Sequence, residues 1–470
     1  MKEIFKSIIT KMNKGQSSRV LIYMMSQIVL QGIAVIAMPL FTRLLTTEQY
    51  GRLEVYSTWV SILVIIVGLR VDSTISIAKV HFGETDFKKF CTNAYFIVVA
   101  TGIVMVTAAG LCLSSLSSLL RLSPYIVLFM VFHAVGTVCT KVQSGIFMIT
   151  KKAVKDISLS IALSLFACLI SVLCIYFMRG HEDEGRILGM GLPYILLGFV
   201  FCFIYMRKIV TAFDKNMLNY ILSLSLPMIL SGLSALILSQ SDRIMISEML
   251  GDDKAGIYGF CYSVATPISA IWSALGSAWR PDYYEKLKEK NGEWLKEHSD
   301  NYMFLFTSLT CGYLLVAAEA LKILGTKDYW PGIKVMPLVI VGIYFAFLYS
   351  FPVNYETYCK KTKVIGVASA LSAAMNIGLN LWLIPTHGML GAAIATFASY
   401  LILFLIHDFV VRRMEGYHYN WGFYIKGLIP VLICCIITYV FSDFLVVRWG
   451  IGTVIAIVLI KRILKKRTLL

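Results

Sequence analysis

The sequence predicts an all-α polytopic membrane protein with about fourteen transmembrane helices, and three observations support this fold class. Hydrophobic residues make up 58% of the 470 residues and charged residues only 15%, whereas a soluble fold must keep a charged surface. Apolar runs near 20 residues in length, enough to cross roughly 30 Å of hydrocarbon, recur along the whole chain. A weak internal repeat divides these runs into two similar halves.

Fourteen apolar runs are candidate transmembrane spans, with boundaries good to about four residues. They cover residues 20–42, 54–78, 92–115, 125–147, 157–177, 188–206, 221–247, 256–278, 302–324, 334–353, 364–384, 389–410, 424–441 and 450–463. Lys426 and Arg448 lie within or beside the last two runs, which are therefore less apolar than the others.

The basic residues favour one side of the membrane. Most of the 43 lysines and arginines fall before the first span, in every second loop after it and in the C-terminal tail. By the positive-inside rule, this bias predicts an even number of spans with both termini cytoplasmic. It also accounts for the net charge of +16 without a nucleic-acid partner, because an anionic leaflet attracts basic loops.

The repeat relates residues 31–51 to residues 231–256. Each copy has an apolar run, a late arginine, a short acidic turn and a glycine that opens the next run. The matched residues are Gly32 with Gly232, Arg43 with Arg243 and, after a five-residue insertion in the second copy, Gly51 with Gly256. Two similar halves in tandem are a common design of transporters.

Residues 376–400, NIGLNLWLIPTHGMLGAAIATFASY, carry the pattern N-x3-N-x3-IP-x2-G-x2-GAA-x-AT. This pattern resembles the polysaccharide-transport branch of the multidrug/oligosaccharidyl-lipid/polysaccharide (MOP) exporter superfamily, to which Wzx-type O-antigen flippases belong. Three further passages are similar to the same family: RLLTTEQYGRLEVY, SAWRPDYYEK and ILGTKDYWPGIKVMPL. Together with the number of spans, the resemblance extends over nearly the whole chain.

The resemblance implies a MOP/MATE-like fold of two six-helix bundles, residues 1–215 and 216–415, around a central cavity, followed by two C-terminal helices and a basic tail in residues 416–470. It also implies a flippase of the bacterial inner membrane. The substrate would be an undecaprenyl-pyrophosphate-linked oligosaccharide for O-antigen, capsule or exopolysaccharide assembly, moved outward by alternating access. Polysaccharide polymerase and chain-length machinery are the protein partners it implies.

Arg70 and Asp72 lie deep in the second predicted span. A guanidinium at that depth is costly unless it lines water or has a partner. The planar fork of an arginine suits pyrophosphate, since it can bond two oxygens at once. On this interpretation Arg70 binds the lipid pyrophosphate, and Asp72 pairs with it or couples transport to an ion. The alternatives are a purely structural pair, or an Arg70 side chain that reaches the cytoplasmic headgroups.

His133, Thr137 and Lys141 are spaced by four residues on the fourth predicted span, and together they form one polar stripe. Lys141 would add positive charge to the cavity, and His133 could carry a proton. Helix packing is the alternative, with Lys141 reaching the inner interface and His133 satisfied by a local hydrogen bond.

Asp242 and Arg243 lie toward the outer end of the seventh span. Arg243 could bind substrate or simply reach the outer interface, whereas a carboxylate inside an apolar run is a candidate for coupling to an ion. Asn376 and Asn380 form a polar stripe on the eleventh span. Amides suit sugar hydroxyls, and they equally bond neighbouring helices.

Enzyme motifs are absent from the sequence: it has no Walker loop, GxSxG, zinc-ligand spacing or long external loop. No cofactor or metal site is expected, and coupling to a Na+ or H+ gradient stays open. Two rival functions remain, an ion-coupled multidrug antiporter of the same superfamily and a membrane polysaccharide polymerase or ligase. The antiporter would favour an acidic or aromatic cavity, and the polymerase would need an external loop that this chain lacks.

Overall fold

A computed structural model describes residues 16–414, 416, 418–442 and 444–466. The basic residues before position 16 and Arg467, which contribute to the predicted orientation, lie outside the described residues. Within the described ranges the chain forms α-helices and two short 3-10 helices, and no strand. The helices are α1 Gln16–Leu44, α2 Thr47–Gly68, α3 Ile75–His81, α4 Glu84–Leu111, α5 Leu113–Leu120, α6 Pro124–Ile149, α7 Ala153–Phe177, α8 Glu182–Met206, α9 Ile209–Ala212, α10 Lys215–Leu250, α11 Asp252–Lys288, α12 Gly292–Leu324, α13 Met336–Tyr358, α14 Thr362–Arg412, α15 Trp421–Val440 and α16 Leu445–Lys466.

The all-helical fold class is confirmed, and every predicted span overlaps helical residues, although the second span, 54–78, is broken between α2 and α3 and the third, 92–115, runs from α4 into α5. Ten described helices are long and apolar enough to cross a membrane. One of them, α14, contains two predicted spans, 364–384 and 389–410, and it breaks between them at Gly388, where φ is 61° and ψ is −143°. The number fourteen remains a prediction, because α1, α11 and α16 are not among the ten.

The longest segment between predicted spans, residues 280–302, reads RPDYYEKLKEKNGEWLKEHSDNY, and its amphipathic pattern predicts one helix at the cytoplasmic membrane surface. The structure divides this segment between two helices. Its first part continues α11 as far as Lys288, and its second part opens α12 at Gly292. Lys290 takes a left-handed conformation, with φ 55°, and the Asn291 side chain accepts a hydrogen bond from the Trp294 backbone N–H at 3.1 Å. This cap starts a new helix direction, so one surface helix was the wrong expectation.

The described chain forms two compact units. Unit 1 contains the chain up to Ala37 and Arg52–Leu236, and unit 2 contains Met38–Gly51 and the chain from Ile237 onward. Both α1 and α10, the helices related by the repeat, therefore contribute to each unit. The predicted bundle boundaries at 215/216 and 415/416 remain predictions.

The two glycines that the repeat matches lie at a close approach inside unit 2. A Cβ atom on Gly51 would lie 1.8 Å from the Asp252 carbonyl oxygen, and one on Gly256 would lie 2.0 Å from the Thr47 carbonyl oxygen. The contact is reciprocal, as between two segments related by local two-fold symmetry. Any side chain at either position would force the α2 and α11 N-termini apart, so the repeat has a packing cause here.

The buried Arg448 side chain holds the start of the last helix, α16, through hydrogen bonds. This side chain is 1% exposed and donates to the backbone carbonyls of Leu315, Phe441 and Ser442 and to both carboxylate oxygens of Glu319. A buried guanidinium whose donors are used in this way ties α16 to α12. Arg448 is therefore a structural residue of unit 2.

Candidate functional site

The second predicted span is not one continuous helix, because α2 ends at Gly68 and a 3-10 turn, Val71–Thr74, precedes α3. Leu69 and Arg70 have φ values of 42° and 59°. A non-glycine residue in this region is strained, and such strain clusters at functional sites. Irregular backbone at membrane depth is tolerated only where it is covered by protein or lines a water-filled cavity.

Arg70 therefore lies on the break itself and not on a helix face. The other described non-glycine residues with positive φ also follow the end of a helix, but they lie between predicted spans: Arg121, Lys151, Lys290 and Lys360. Placing Arg70 in a rare conformation inside a predicted span gives its side chain a direction that a regular helix would not give it.

The Arg70 guanidinium is only loosely paired. Its Nη1 atom lies 3.9 Å from Asp72 Oδ2, and both side chains are about one-third exposed. Its Nε atom is buried without a hydrogen-bond partner among the described residues. The aliphatic part of the side chain passes Gly232 of α10, where a Cβ atom would lie 3.3 Å from Arg70 Cδ. Arg70 thus has N–H donors to offer to an anion.

Lys141 of α6 lies near the same two charges. Its ammonium group interacts electrostatically with both Asp72 and Arg70. The Lys141 side chain is exposed, and those of Arg70 and Asp72 are about one-third exposed. Unit 1 thus brings together three predicted site residues, two cations and one carboxylate, in an accessible group beside the helix break, which we call the Arg70 cluster.

His133 does not share this environment. Its ring is buried, and Nδ1 lies 3.0 Å from the Tyr56 hydroxyl. His133 is eight residues before Lys141, about 12 Å along α6, and its ring neighbours are aromatic: Tyr56, Phe129 and Tyr194. The geometry matches the local hydrogen bond that the sequence left open as an alternative.

Asp242 of α10 is the centre of a buried polar network in unit 2. Its side chain is 1% exposed. Oδ2 accepts hydrogen bonds from the Tyr258 hydroxyl at 2.5 Å and the Thr396 hydroxyl at 3.3 Å. Oδ1 accepts the Arg243 backbone N–H at 3.0 Å. The carboxylate therefore joins α10 to α11 and α14.

Asn376 and Asn380 extend this network along α14. Asn376 Nδ2 donates to Thr396 Oγ1 at 3.4 Å, and Asn380 Nδ2 donates to Asn376 Oδ1 at 3.1 Å. Ser241 also donates to Asn376 Oδ1, at 3.4 Å. Both amides are fully buried, and Asn380 Oδ1 has no partner in the described chain. The structure thus connects both predicted asparagines to Asp242.

These oxygens are of the kind that hard cations prefer: a carboxylate, a hydroxyl and amide carbonyls. Among the described residues there is no group of three or more His, Cys, Asp or Glu side chains that could hold a metal ion. A monovalent cation or a proton is the charge that this network could accept.

Arg243 borders the network that holds its own backbone, because the Tyr262 ring centroid beside the guanidinium lies 5.2 Å from that of Tyr258. Its guanidinium lies 4.8 Å from the Tyr262 ring centroid, and Nη1 donates to the Ser239 carbonyl at 3.3 Å. The side chain is partly exposed. Arg243 belongs to unit 2, whereas Arg70 and Lys141 belong to unit 1.

Several interacting residues were missed at the level of sequence. Thr396 is the last residue of the quoted pattern, so the signal for it was present. Tyr258 carried no signal, because an aromatic residue in an apolar run is usually a packing residue. Glu356 and His407 form a fully buried pair, with Nδ1 2.9 Å from the carboxylate. They lie 51 residues apart in the chain, so no spacing rule would have joined them.

Comparison with known proteins agrees with this architecture. The family model described as "Polysaccharide biosynthesis protein" matches residues 18–282. A relative in Haemophilus influenzae, "Lsg locus putative protein 1", is 24% identical over 370 residues, which cover 76% of this chain and 88% of that protein.

Two solved structures share the fold. "Lipid II flippase MurJ, inward closed conformation" aligns with TM-score 0.72 and 14% identity, covering 93% of this chain and 97% of that chain. An inward-facing multidrug resistance MATE family transporter of the MOP superfamily aligns with TM-score 0.66 and 14% identity, covering 83% and 98%. At these identities the likeness establishes the fold of MOP-superfamily transporters and leaves the substrate to the chemistry of the site.

Proposed function

We propose that this chain, which belongs to the polysaccharide biosynthesis protein family, is a flippase that moves undecaprenyl-pyrophosphate-linked oligosaccharide from the inner to the outer leaflet. The bacterial inner membrane, with both termini cytoplasmic, is the proposed location. O-antigen, capsule or exopolysaccharide assembly is the proposed pathway. The observation that carries the proposal is the Arg70 cluster, the accessible, net-positive group of Arg70, Asp72 and Lys141 at the helix break of unit 1.

The two cationic side chains of the Arg70 cluster suit a pyrophosphate. An anion inside the membrane needs replacements for its hydration shell. Arg70 offers a planar fork that can bond two phosphate oxygens, and Lys141 adds a compact positive charge. Because the Arg70–Asp72 pair is long and partly exposed, exchanging the carboxylate for a phosphate costs little. Asp72 can then recapture the guanidinium when the substrate leaves.

Coupling is proposed at Asp242. A Na+ ion or a proton at this carboxylate would compete with the Tyr258 and Thr396 hydroxyls for its oxygens. Because those hydroxyls belong to α11 and α14, occupancy would alter how α10 packs against both helices. A coupling ion needs different interactions in the two conformations, and this junction of three helices offers them. Asn376 and Asn380 would act here with Asp242, which we favour over a direct contact with sugar.

The test is transport by Arg70→Ala, with Arg70→Lys as the conservative variant. In proteoliposomes loaded with a fluorescent prenyl-pyrophosphate sugar, removal of a charge-assisted bidentate contact of about 1.5–3 kcal/mol should slow flipping about 10- to 100-fold. The lysine variant should recover only part of the rate. Lys152→Ala, in the loop between α6 and α7, is the matched control and should transport normally.

The rival antiporter predicts a different pattern. If Arg70→Ala left glycan flipping unchanged and abolished resistance to cationic drugs in cells, the flippase assignment would be wrong. In a strain that lacks the gene, the flippase assignment predicts that lipid-linked repeat units accumulate facing the cytoplasm.

A further inference from the structure

Unit 2 contains a large groove that the proposed transport cycle does not use. It lies between α12, α15 and α16 and has a volume of about 540 Å³. Apolar side chains form most of its wall, and the charged residues that line it are Asp300, Lys426 and Arg462. Its apolar wall is open to the outside, since Ile433, Val454 and Val458 are at least half exposed.

The three charged residues lie at one end of the groove. From the charged residue the lining extends eleven positions along each helix: from Asp300 to Cys311 on α12, from Lys426 to Ile437 on α15, and from Arg462 back to Ile451 on α16; on α15 Phe423, just before Lys426, also lines the groove. Eleven helical residues span about 16 Å at 1.5 Å each. This length is about half of the roughly 30 Å hydrocarbon thickness, which is the depth of one leaflet.

The charged end is built to hold an anion. The Arg462 guanidinium lies 3.9 Å from the Phe304 ring centroid, and Nη2 donates to Asn301 Oδ1 at 3.3 Å, so its position is defined. Lys426 is exposed and has no hydrogen bond or ion pair among the described residues. With two cations and the single carboxylate of Asp300, this end has a net positive charge.

We propose that this groove is a binding site for an anionic phospholipid of the cytoplasmic leaflet. The acyl chain would cover the apolar wall, and the phosphate would lie between Lys426 and Arg462. The leaflet follows from the predicted orientation, which places the start of α12, the start of α15 and the end of α16 at the cytoplasmic face. Arg462 is also followed in the sequence by Lys465 and Lys466, which add to the attraction for an anionic surface.

A bound lipid would fix α15 and α16 against α12 through a surface that these helices do not fill with their own side chains. The lipid groove is independent of the Arg70 cluster. The residues that line the groove all belong to unit 2, and none of them was assigned a transport role. Failure of the flippase assignment would therefore leave this proposal intact.

The test is native mass spectrometry of the detergent-solubilised protein titrated with dioleoylphosphatidylglycerol or dioleoylphosphatidylcholine. Phosphatidylglycerol should bind with the higher affinity. Lys426→Gln and Arg462→Gln should each weaken its binding about fivefold, the equivalent of about 1 kcal/mol for each basic residue at an anionic surface. Phosphatidylcholine binding should hardly change. Lys288→Gln, at the cytoplasmic end of α11 and outside the groove, should bind both lipids as the unmodified protein does.

Val454→Trp provides a second route that keeps both cations. By filling the apolar part of the groove, it should abolish the tight phosphatidylglycerol site. Equal affinity for the two lipids, or no effect of Val454→Trp, would overturn the proposal. A third arm titrates undecaprenyl pyrophosphate: displacement of phosphatidylglycerol at lower concentration would overturn it too, since the groove would then belong to the substrate lipid.

Discussion

The Arg70 cluster of unit 1 and the Asp242 network of unit 2 use charge at membrane depth in opposite ways. Arg70 lies on broken backbone, is accessible, and pairs with Asp72 at 3.9 Å. Asp242 lies on an intact helix, is buried, and accepts three hydrogen bonds from neighbouring groups. An accessible charge with spare donors can receive a ligand, whereas a satisfied buried charge holds helices in place until a competing cation arrives.

The contrast also separates residues that the repeat matches. Arg43 and Arg243 occupy equivalent positions, and each donates to the carbonyl four residues earlier, Pro39 or Ser239, but Arg243 also lies over the Tyr262 ring. Only the second copy has an aspartate directly before the arginine. The two halves share a backbone plan, and single substitutions give them different electrostatics.

The largest effect should come from Asp242→Ala. It leaves the buried Tyr258 and Thr396 hydroxyls without their acceptor, so we expect the purified protein to lose about 3 kcal/mol of stability. Thermal unfolding in detergent would show this as a lower Tm. Asp253→Ala, which removes an exposed carboxylate beside Lys254, should leave Tm unchanged. A Tm that Asp242→Ala did not move would erase the contrast between the two regions.

Asp242→Asn sharpens the same comparison. The amide keeps the shape and one acceptor, so stability should fall less than in Asp242→Ala, while dependence of transport on a Na+ or H+ gradient should disappear. The measurement is proteoliposome flipping with and without each gradient. Gradient dependence that persisted in this variant would place the coupling ion elsewhere.

Lys141→Gln should have a moderate effect on transport and little on stability. The substitution lowers the net charge of the Arg70 cluster by one. Losing a partly hydrated contact between Lys141 and the phosphate, of about 1 kcal/mol, should slow flipping roughly fivefold. The loss should shrink at high salt, which screens accessible charges. The initial flipping rate at low and high ionic strength is the measurement. A large drop in Tm would instead make Lys141 a structural residue like Asp242.

The smallest effect on transport should come from Tyr56→Phe. The substitution removes the hydroxyl that bonds His133, at a cost of about 1 kcal/mol in stability, and flipping should stay within about twofold of the unmodified rate, given that variants transport in proportion to folded protein. Paired measurements of Tm and flipping rate check this. Slower flipping at unchanged stability would return His133 to the transport mechanism.

The charged residues could be found from the sequence because an ionisable group inside an apolar run stands out. Arg70, Asp72, Lys141 and Asp242 were all identifiable in this way. Arg70 and Lys141 were also predicted to lie in one cavity, but how they meet depends on the contact of the α2 break with α6. The break itself was not predicted: Gly68 alone is a weak signal, and no proline accompanies it.

Partners inside the membrane were the hardest to predict. Tyr258 and Thr396 complete the Asp242 network from two other helices, and Glu356 with His407 forms a pair that no local pattern announces. The end of α11 and the start of α12 were predicted as one surface helix. Amphipathic periodicity continues across the Asn291 cap and so does not show that a new helix begins there.

By itself the sequence determined the all-helical membrane fold, the positions of the helices and the repeat, since hydropathy, helix length and glycine spacing act locally along the chain. Only the tertiary structure decided which charges meet, which are satisfied and which remain available. The physical reason is that an ionisable side chain in a membrane is defined by its neighbours across helices, and those neighbours are set by packing and not by distance along the sequence.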